Sequence, residues 1–562
     1  MSSTRHEVRS GAYYDSVILM QLQKALAGLP GVEDAGVVMA TPANKELLAA
    51  AGFDAGAIEA RADDLLLMVR AEDEEAAAAA LAQVDELLAR RRSRAASAAF
   101  RPRSLASAVQ QLPESRWVLV SVPGRYAAGV AEEALAHGRH VFLYSDNVSL
   151  EDELRLKEKA REQGLLVMGP DCGTAIINGA GLGFANRVRR GSIGLIAASG
   201  TGLQAVTAGL HNRGAGISQA IGLGGRDLKE AIGGISALQA LDLLARDPET
   251  ESIVLISKPP AEKVAARLLA AARNSGKPVV ASFQGYAPPA RHLGNLHFSF
   301  GLADTVELAL SLANAAPADR AAGSNTSAPY LRGLFSGGTL ASEAVLALQP
   351  LVHPLYSNVG QGSSRQLADP LSSEAHTILD LGADTFTQGR LHPMLDNDLR
   401  LRRLRQEAAD PEVGVILLDV VLGEGAHPDP AAELAPAIAE ARAGRSDLEI
   451  VAILLGTGED PQGLDGQREK LAGAGAAVYP TTGAAVDHVL RYLPEGKDGD
   501  NGFPPLPLED FRGQLAAINV GLESFFDSLD TQGAKAVHVE WQPPAGGNEK
   551  LMSLLAKMKG SP

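Results

Sequence analysis

Residues 192–205 read Ser192-Ile193-Gly194-Leu195-Ile196-Ala197-Ala198-Ser199-Gly200-Thr201-Gly202-Leu203-Gln204-Ala205. The apolar run to Ala198 predicts a buried strand, and Ser199-Gly200-Thr201-Gly202 predicts a tight turn into a helix. The first N–H groups of that helix have no acceptor within it, which makes the turn a candidate anion site. Ser199 and Thr201 add hydroxyl donors. A capped turn without a ligand would read the same way. Gly200, Gly202 and Ala205 also fit the spacing of a dinucleotide fingerprint. That fingerprint requires an acidic residue at the end of the next strand, and the strand Ser218–Leu223 ends in Gly224-Gly225 instead.

Outward from this stretch, strands and helices alternate. On the amino-terminal side, Trp117–Val122, His140–Tyr144 and Leu165–Met168 read as strands, separated by helices over 126–137 and 150–164. The pattern resumes at Ser192 and continues to about Ala313, so a parallel sheet is expected. A further block spans 330–493 and echoes its predecessor. Gly333–Ala347 parallels Gly194–Ala208, and Asp410–Leu418 parallels Asp247–Ile256, which suggests a duplicated domain. Before these blocks, helices over 17–29, 45–51 and 72–90 alternate with strands over 34–40 and 64–70. That span predicts a small α+β sandwich. Residues 91–103 and 314–328 read as linkers. After Asp498 the chain is rich in Gly, Pro and charge, with one helix expected over 508–529.

With 562 residues, several cores are expected. The net charge of −16 argues against nucleic acid and anionic membrane as main partners. The single cysteine, Cys172, excludes disulfide frameworks and cysteine-based metal sites, and no metal site is expected. Cys172 lies in a Gly-Pro-Asp-Cys-Gly turn and is assigned to packing. No apolar run is long enough to span a membrane, and Met1–Gly11 lacks a signal-peptide core, so a cytoplasmic location is expected.

Other turns could hold a phosphate. Gly224-Gly225 lies at a strand's carboxyl end, the usual ligand edge of an open α/β sheet. Gly337-Gly338-Thr339, after Ser336, repeats the Ser/Gly/Thr turn. Gly423-Glu424-Gly425-Ala426-His427 follows a strand and precedes a helix. His427 is a candidate acid/base or an exposed loop histidine; His392 and His292 occupy comparable loops. P-loop, His-Glu-x-x-His and Gly-x-Ser-x-Gly motifs are absent from the sequence.

Gly169-Pro170-Asp171-Cys172, Gly191–Ile196 leading to Ser199-Gly200-Thr201, Ile221–Gly225, Asp247–Glu251 and Lys277–Val280 resemble, in order, the α subunit of succinyl-CoA synthetase. Thr377–Gly382 and Asp410–Leu422 resemble the carboxyl-terminal domain of its β subunit. With the added amino-terminal unit, the arrangement resembles the FdrA family of acyl-CoA-synthetase-like proteins. The resemblance implies an α/β fold: a small α+β domain (1–100), a CoA-binding Rossmann-like domain (105–190), two flavodoxin-like succinyl-CoA-ligase-type domains (191–315 and 329–493) and a carboxyl-terminal tail (494–562).

The resemblance also implies that Ser199-Gly200-Thr201 and the Gly423–His427 turn are paired helix amino termini holding phosphate. His292 stands nearest the family's phosphorylated histidine, but without its glycines, so a covalent phosphohistidine is not expected. The glycine-rich first turn of a CoA domain is missing before Trp117, so CoA is not expected to bind. An ATP-grasp domain is also missing. No cofactor is expected to be required within this chain, with phosphate entering as a substrate. The implied activity is that of an oxamate carbamoyltransferase subunit in allantoin breakdown, assembled with other subunits. Two other functions stay open: a succinyl-CoA-ligase-like enzyme with a separate ATP-grasp partner, and a non-catalytic assembly or regulatory subunit.

Overall fold

A computed structural model describes residues 2–9, 16–61, 64–88, 101–286, 288, 290–313, 328–360, 364–493 and 503–543. Most of both expected linkers lies outside these residues. The chain divides into two compact units. One comprises 1–156, 169–171 and 514–562, and the other 157–168 and 172–513.

The first unit begins with a three-stranded antiparallel sheet, Ser3–Arg9, Leu65–Ala71 and Val32–Met39, with Leu65–Ala71 in the centre. That central strand is apolar except for Arg70 because both of its faces are covered. Leu65, Leu67 and Val69 pack with Leu19, Leu22, Leu26 and Ala77, while Leu66 and Met68 pack with Leu48 and Phe53 on the other side. This is the expected small α+β domain.

The same unit contains a parallel sheet that the sequence reading only half predicts. Its strands run in the order Lys535–Val539, Ala516–Val520, Trp117–Val120, His140–Leu143. The single helix expected over 508–529 is replaced by a 3-10 turn, Leu508–Phe511, the strand Ala516–Val520 and the helix Glu523–Thr531. Ala516-Ala517-Ile518-Asn519-Val520 is fully buried, and as a strand it pairs along both edges. The tail thus supplies a strand–glycine–helix–strand segment where the amino-terminal side of Trp117 supplies none. Strand order reverses between Ala516–Val520 and Trp117–Val120, the topological switch point of a Rossmann-like sheet.

The second unit holds two sheets. In the first, the parallel strands run Leu296–Phe298, Val279–Phe283, Ser252–Ser257, Arg190–Ala197, Ile217–Gly222. In chain order this is 5-4-3-1-2, the flavodoxin arrangement. Antiparallel additions, His292–Leu293 and the pair Thr174–Ile177/Ala180–Gly183, extend its edges. The other sheet is parallel throughout, with Tyr330–Phe335 flanked by His376–Asp380 and Val413–Val421. Glu449–Leu455 and Ala477–Tyr479 follow outward on the Val413 side. It matches the first sheet except that His376–Asp380 is inserted beside the first strand. Topology therefore supports the duplication read from Gly194–Ala208 and Gly333–Ala347.

Gly521 joins strand to helix at the switch point with φ +122°, and a Cβ there would lie 2.5 Å from Ser121 Oγ. Gly521→Ala is expected to cost about 1–3 kcal/mol or more and to lower the melting temperature. Parent-like melting of that variant would show that the tail does not close this sheet in solution.

Candidate functional site

Ile193, Leu195 and Ala197 bury the strand in a core with Leu203, Val206 and Leu210 of the helix Gly200–Asn212, which fixes where that helix starts. Ser199 is its N-cap, and its Oγ accepts the Gly202 N–H at 3.2 Å. The Ala198 N–H donates to Ile256 O, so the strand end is pinned to its neighbour. The exposed N–H groups of Gly200 and Thr201 have no acceptor among the described residues. The turn is thus a helix amino terminus with donors to spare, at the carboxyl edge of a parallel sheet.

Leu223 donates to Ala197 O at 2.9 Å, which brings Gly224-Gly225 to the same edge as this turn. On the other side, the strand Ser252–Ser257 ends in Lys258, an exposed cation next to that edge. Sequence reading missed Lys258 because Lys-Pro-Pro looks like an ordinary loop.

The duplicate turn is filled differently. Ser336 N–H and Gly337 N–H donate to the two oxygens of Asp419 at 2.7 and 2.8 Å, and Ser336 Oγ adds a third bond at 2.9 Å. Asp419 is fully buried and is bonded in turn by Arg400 through both its carboxylate and its backbone oxygen. Next to it, Asp380 Oδ2 lies 2.8 Å from where a Cβ on Gly338 would sit. A Cβ on Gly382 would lie 2.7 Å from His392 Nε2 and 3.1 Å from Asp380 Oδ1. Burial, with Asp419 nearby, raises the Asp380 pKa. Gly337, Gly338 and Thr339 therefore stand beside two carboxylates, surroundings hostile to phosphate.

The Gly423–His427 turn is also committed internally. Gln462 donates to Gly423 O and His427 O and accepts from the Gly423 N–H. Gly425 lies in the same loop with φ +75°. In the helix that follows, the Ala431 and Ala432 N–H groups donate to Gln467 and Asp429. His427 accepts from the Asp429 N–H at Nδ1 and lies 3.1 Å from Glu433 Oε1 through Nε2. Both of its ring nitrogens are engaged in holding the loop.

His292 faces the neighbouring block. Its Nδ1 lies 2.9 Å from Asp487 Oδ2, and Asp487 Oδ1 accepts the Gly294 N–H at 2.6 Å. A backbone contact with Gly294 also favours the charged ring. The bond to Asp487 raises the His292 pKa, opposed by burial and by Arg491. His297, its ring tilted against His292 with centroids 4.6 Å apart, is pushed down to about 4 by burial, with His292 adding to the effect. Cys172 is buried over Gly222, in the packing role expected of it.

At the switch point the Leu522 N–H donates to Ser121 Oγ at 2.7 Å, and Glu523 opens the helix with a negative charge. A diphosphate at the Leu522 turn would meet a used donor and a carboxylate already paired with Arg101 at 2.8 Å, so this turn by itself offers it no free first donor. Residues 1–102 contain no cysteine, and no group of three or more metal-ligating side chains is placed together among the described residues. None of the described helices is long and apolar enough to cross a membrane.

Two outcomes follow from this geometry. Asp419→Ala removes the carboxylate that pairs with buried Arg400 and that accepts two turn N–H groups, and is expected to cost about 3–5 kcal/mol in chemical denaturation. His292, with its raised pKa, stabilises fully below the unfolded value of about 6.5 and loses that contribution as pH rises through its folded pKa. The melting-temperature gap between parent and His292→Gln should therefore be widest near pH 6 and close toward pH 9. A gap independent of pH would rule out the charged contact.

Residues 1–102 match the family described as AllF, heavy metal-associated domain. Residues 188–285 match the CoA binding domain, and residues 334–490 match CoA-ligase. The chain is 42% identical over 495 residues to the uncharacterized protein YahF of Escherichia coli (strain K12), covering 85% of this chain and 96% of YahF. It is 29% identical over 184 residues to the succinate–CoA ligase [ADP-forming] subunit alpha 1 of Archaeoglobus fulgidus, over 32% of this chain and 61% of that subunit. Over 30% of its length it is 30% identical to the malate–CoA ligase subunit alpha of Methylorubrum extorquens, covering 58% of that subunit. With YahF matched over nearly its full length, and the ligase subunits matched over about six-tenths of theirs, the chain belongs to the FdrA family of succinyl-CoA-ligase-like proteins.

Proposed function

We propose that this chain is the phosphate-binding subunit of a cytoplasmic carbamoyltransferase, oxamate carbamoyltransferase, which converts oxalurate and phosphate to oxamate and carbamoyl phosphate. The observation that carries the reading is the open turn at Gly200-Thr201. Of the turns nominated for phosphate, it is the one whose helical donors are unused while its duplicate is filled by Asp419. The AllF match of the amino-terminal domain supports a place in allantoin breakdown. The implied step is attack of a phosphate oxygen on the carbamoyl carbon of oxalurate. The C–N bond breaks, and the departing nitrogen takes a proton to give oxamate. The turn would orient the phosphate and offset its charge through N–H groups already fixed in place. Neither nominated histidine is assigned the proton transfer: both nitrogens of His427 are occupied, and the His292 strand is separated from Arg190–Ala197 by three others, so that proton is left to water or to a residue of another subunit. Other subunits would complete the enzyme, as the relatives named as subunits suggest.

A second reading, an acyl-CoA ligase working with an ATP-grasp subunit, is favoured by the CoA-ligase match over 334–490. The two are separated by assay. The chain, alone and with candidate partner subunits, is incubated with oxalurate and phosphate, and carbamoyl phosphate is followed by 31P NMR. Gly200→Val, placed on an exposed turn, is expected to lower the rate about 100-fold or more without changing the melting temperature. No carbamoyl phosphate, with thioester formed instead from ATP, CoA and an organic acid, would replace the first reading by the second.

A further inference from the structure

Lys157 and Asp227 form an ion pair with both side chains fully buried, Nζ to Oδ1 at 2.7 Å. Burying two charges is unfavourable, and a well-packed apolar pair at such a place is often as stable or more so. The pair therefore calls for another explanation, and its connections supply one. The Lys157 ammonium also donates to Leu223 O at 3.3 Å. Leu223 and Asp227 are the two ends of the loop that carries Gly224 and Gly225. A single cation thus staples both ends of a five-residue loop whose middle contains Gly224 at φ +80°. Asp227 is fixed from the far side as well. Its Oδ1 accepts the Ser236 N–H at 3.3 Å and its Oδ2 the Ala237 N–H at 3.1 Å, at the start of the helix Ile235–Arg246. The Leu223 N–H is bonded to Ala197 O, two residues before Ser199.

We infer that Lys157 is a positioning residue for the anion-binding edge: through Leu223 O and Asp227 it holds the Gly224-Gly225 loop against the Ser199–Thr201 turn, so that the loop's backbone donors meet an oxyanion of phosphate type. This rests on the reading of that edge as the phosphate site. Lys157 itself stays buried and touches no ligand. Its helix, Leu150–Glu162, is rich in charge and reads as a solvated surface, but Leu156, Lys157 and Ala160 all lie on the inward face.

The test titrates the full chain with inorganic phosphate by 31P NMR and follows amide hydrogen exchange without ligand. The double variant Lys157→Met/Asp227→Asn removes both charges together while keeping an amide oxygen to accept from the start of the helix Ile235–Arg246, and is expected to stay folded. Its phosphate affinity should fall about tenfold or more, with faster exchange at Leu223–Asp227. A second variant, two glycines inserted between Gly224 and Gly225, keeps the ion pair but slackens the loop and should weaken phosphate binding similarly. If the parent binds phosphate and both variants bind it equally well, the positioning role is overturned while the phosphate site stands. A parent that binds no phosphate overturns the site and this inference together.

Discussion

Each helix that follows a parallel strand in this protein begins with N–H groups that the helix itself cannot satisfy, and the fold must find acceptors for them. The solutions differ from turn to turn. Asp419 reaches across from a neighbouring strand to fill the turn at Ser336-Gly337. Asp429 and Gln467 fill the one after Pro430, and Ser121 fills the one at Leu522. At Gly200-Thr201 no protein group takes the place of the acceptor among the described residues. Among these four turns the same backbone geometry therefore serves as scaffold in three and as an opening in one. A buried side chain decides which, more than the turn's own sequence does.

That distinction explains what could be read in advance. The run from Ile193 to Gly202 is local, with strand, turn and cap all within eleven residues of Ser192, and it reads correctly as an α/β switch. The continuous apolar run Leu65–Val69 of the central strand is legible for the same reason. Asp419, by contrast, lies 83 residues from Ser336, and nothing near either residue signals the pairing. Ser336-Gly337-Gly338-Thr339 and Ser199-Gly200-Thr201-Gly202 look equivalent in sequence and become opposites once the sheet assembles. Lys157 is hidden in another way, because a lysine among glutamates and arginines reads as surface. The tail strand Ala516–Val520 was obscured by its Gly- and Pro-rich surroundings, which mask a short buried strand.

The block around Asp419 also shows why a polar segment can lie inside a fold. Asp398–Ala409 carries four arginines, yet Arg400 and Arg403 are buried, and burial lowers both of their pKa values. Glu407 pairs with Arg332 at 2.8 Å and with Arg403 at 2.7 Å, and Ser373 donates to it as well. Such networks add little net stability over apolar packing, but they penalise any shift in register, because each shift would leave a buried charge alone. The network fixes how this helix seats against the sheet that carries Asp380, Asp419 and the filled turn.

Ser121 and Val520 are hydrogen-bonded although 399 residues separate them along the chain. During synthesis, the strands at Trp117 and His140 emerge long before the partner at Ala516–Val520 exists. For that interval the sheet has an open hydrogen-bonding edge at Trp117–Val120, the kind of edge that recruits foreign strands. Nearly the whole of the second unit must be translated before the edge can close. The ribosome therefore delivers this sheet unfinished, and the last part of the message determines whether it is completed. A nonsense change between codons 494 and 516 would leave both ligase-like sheets encoded in full while stripping the first unit of the parallel strands Ala516–Val520 and Lys535–Val539.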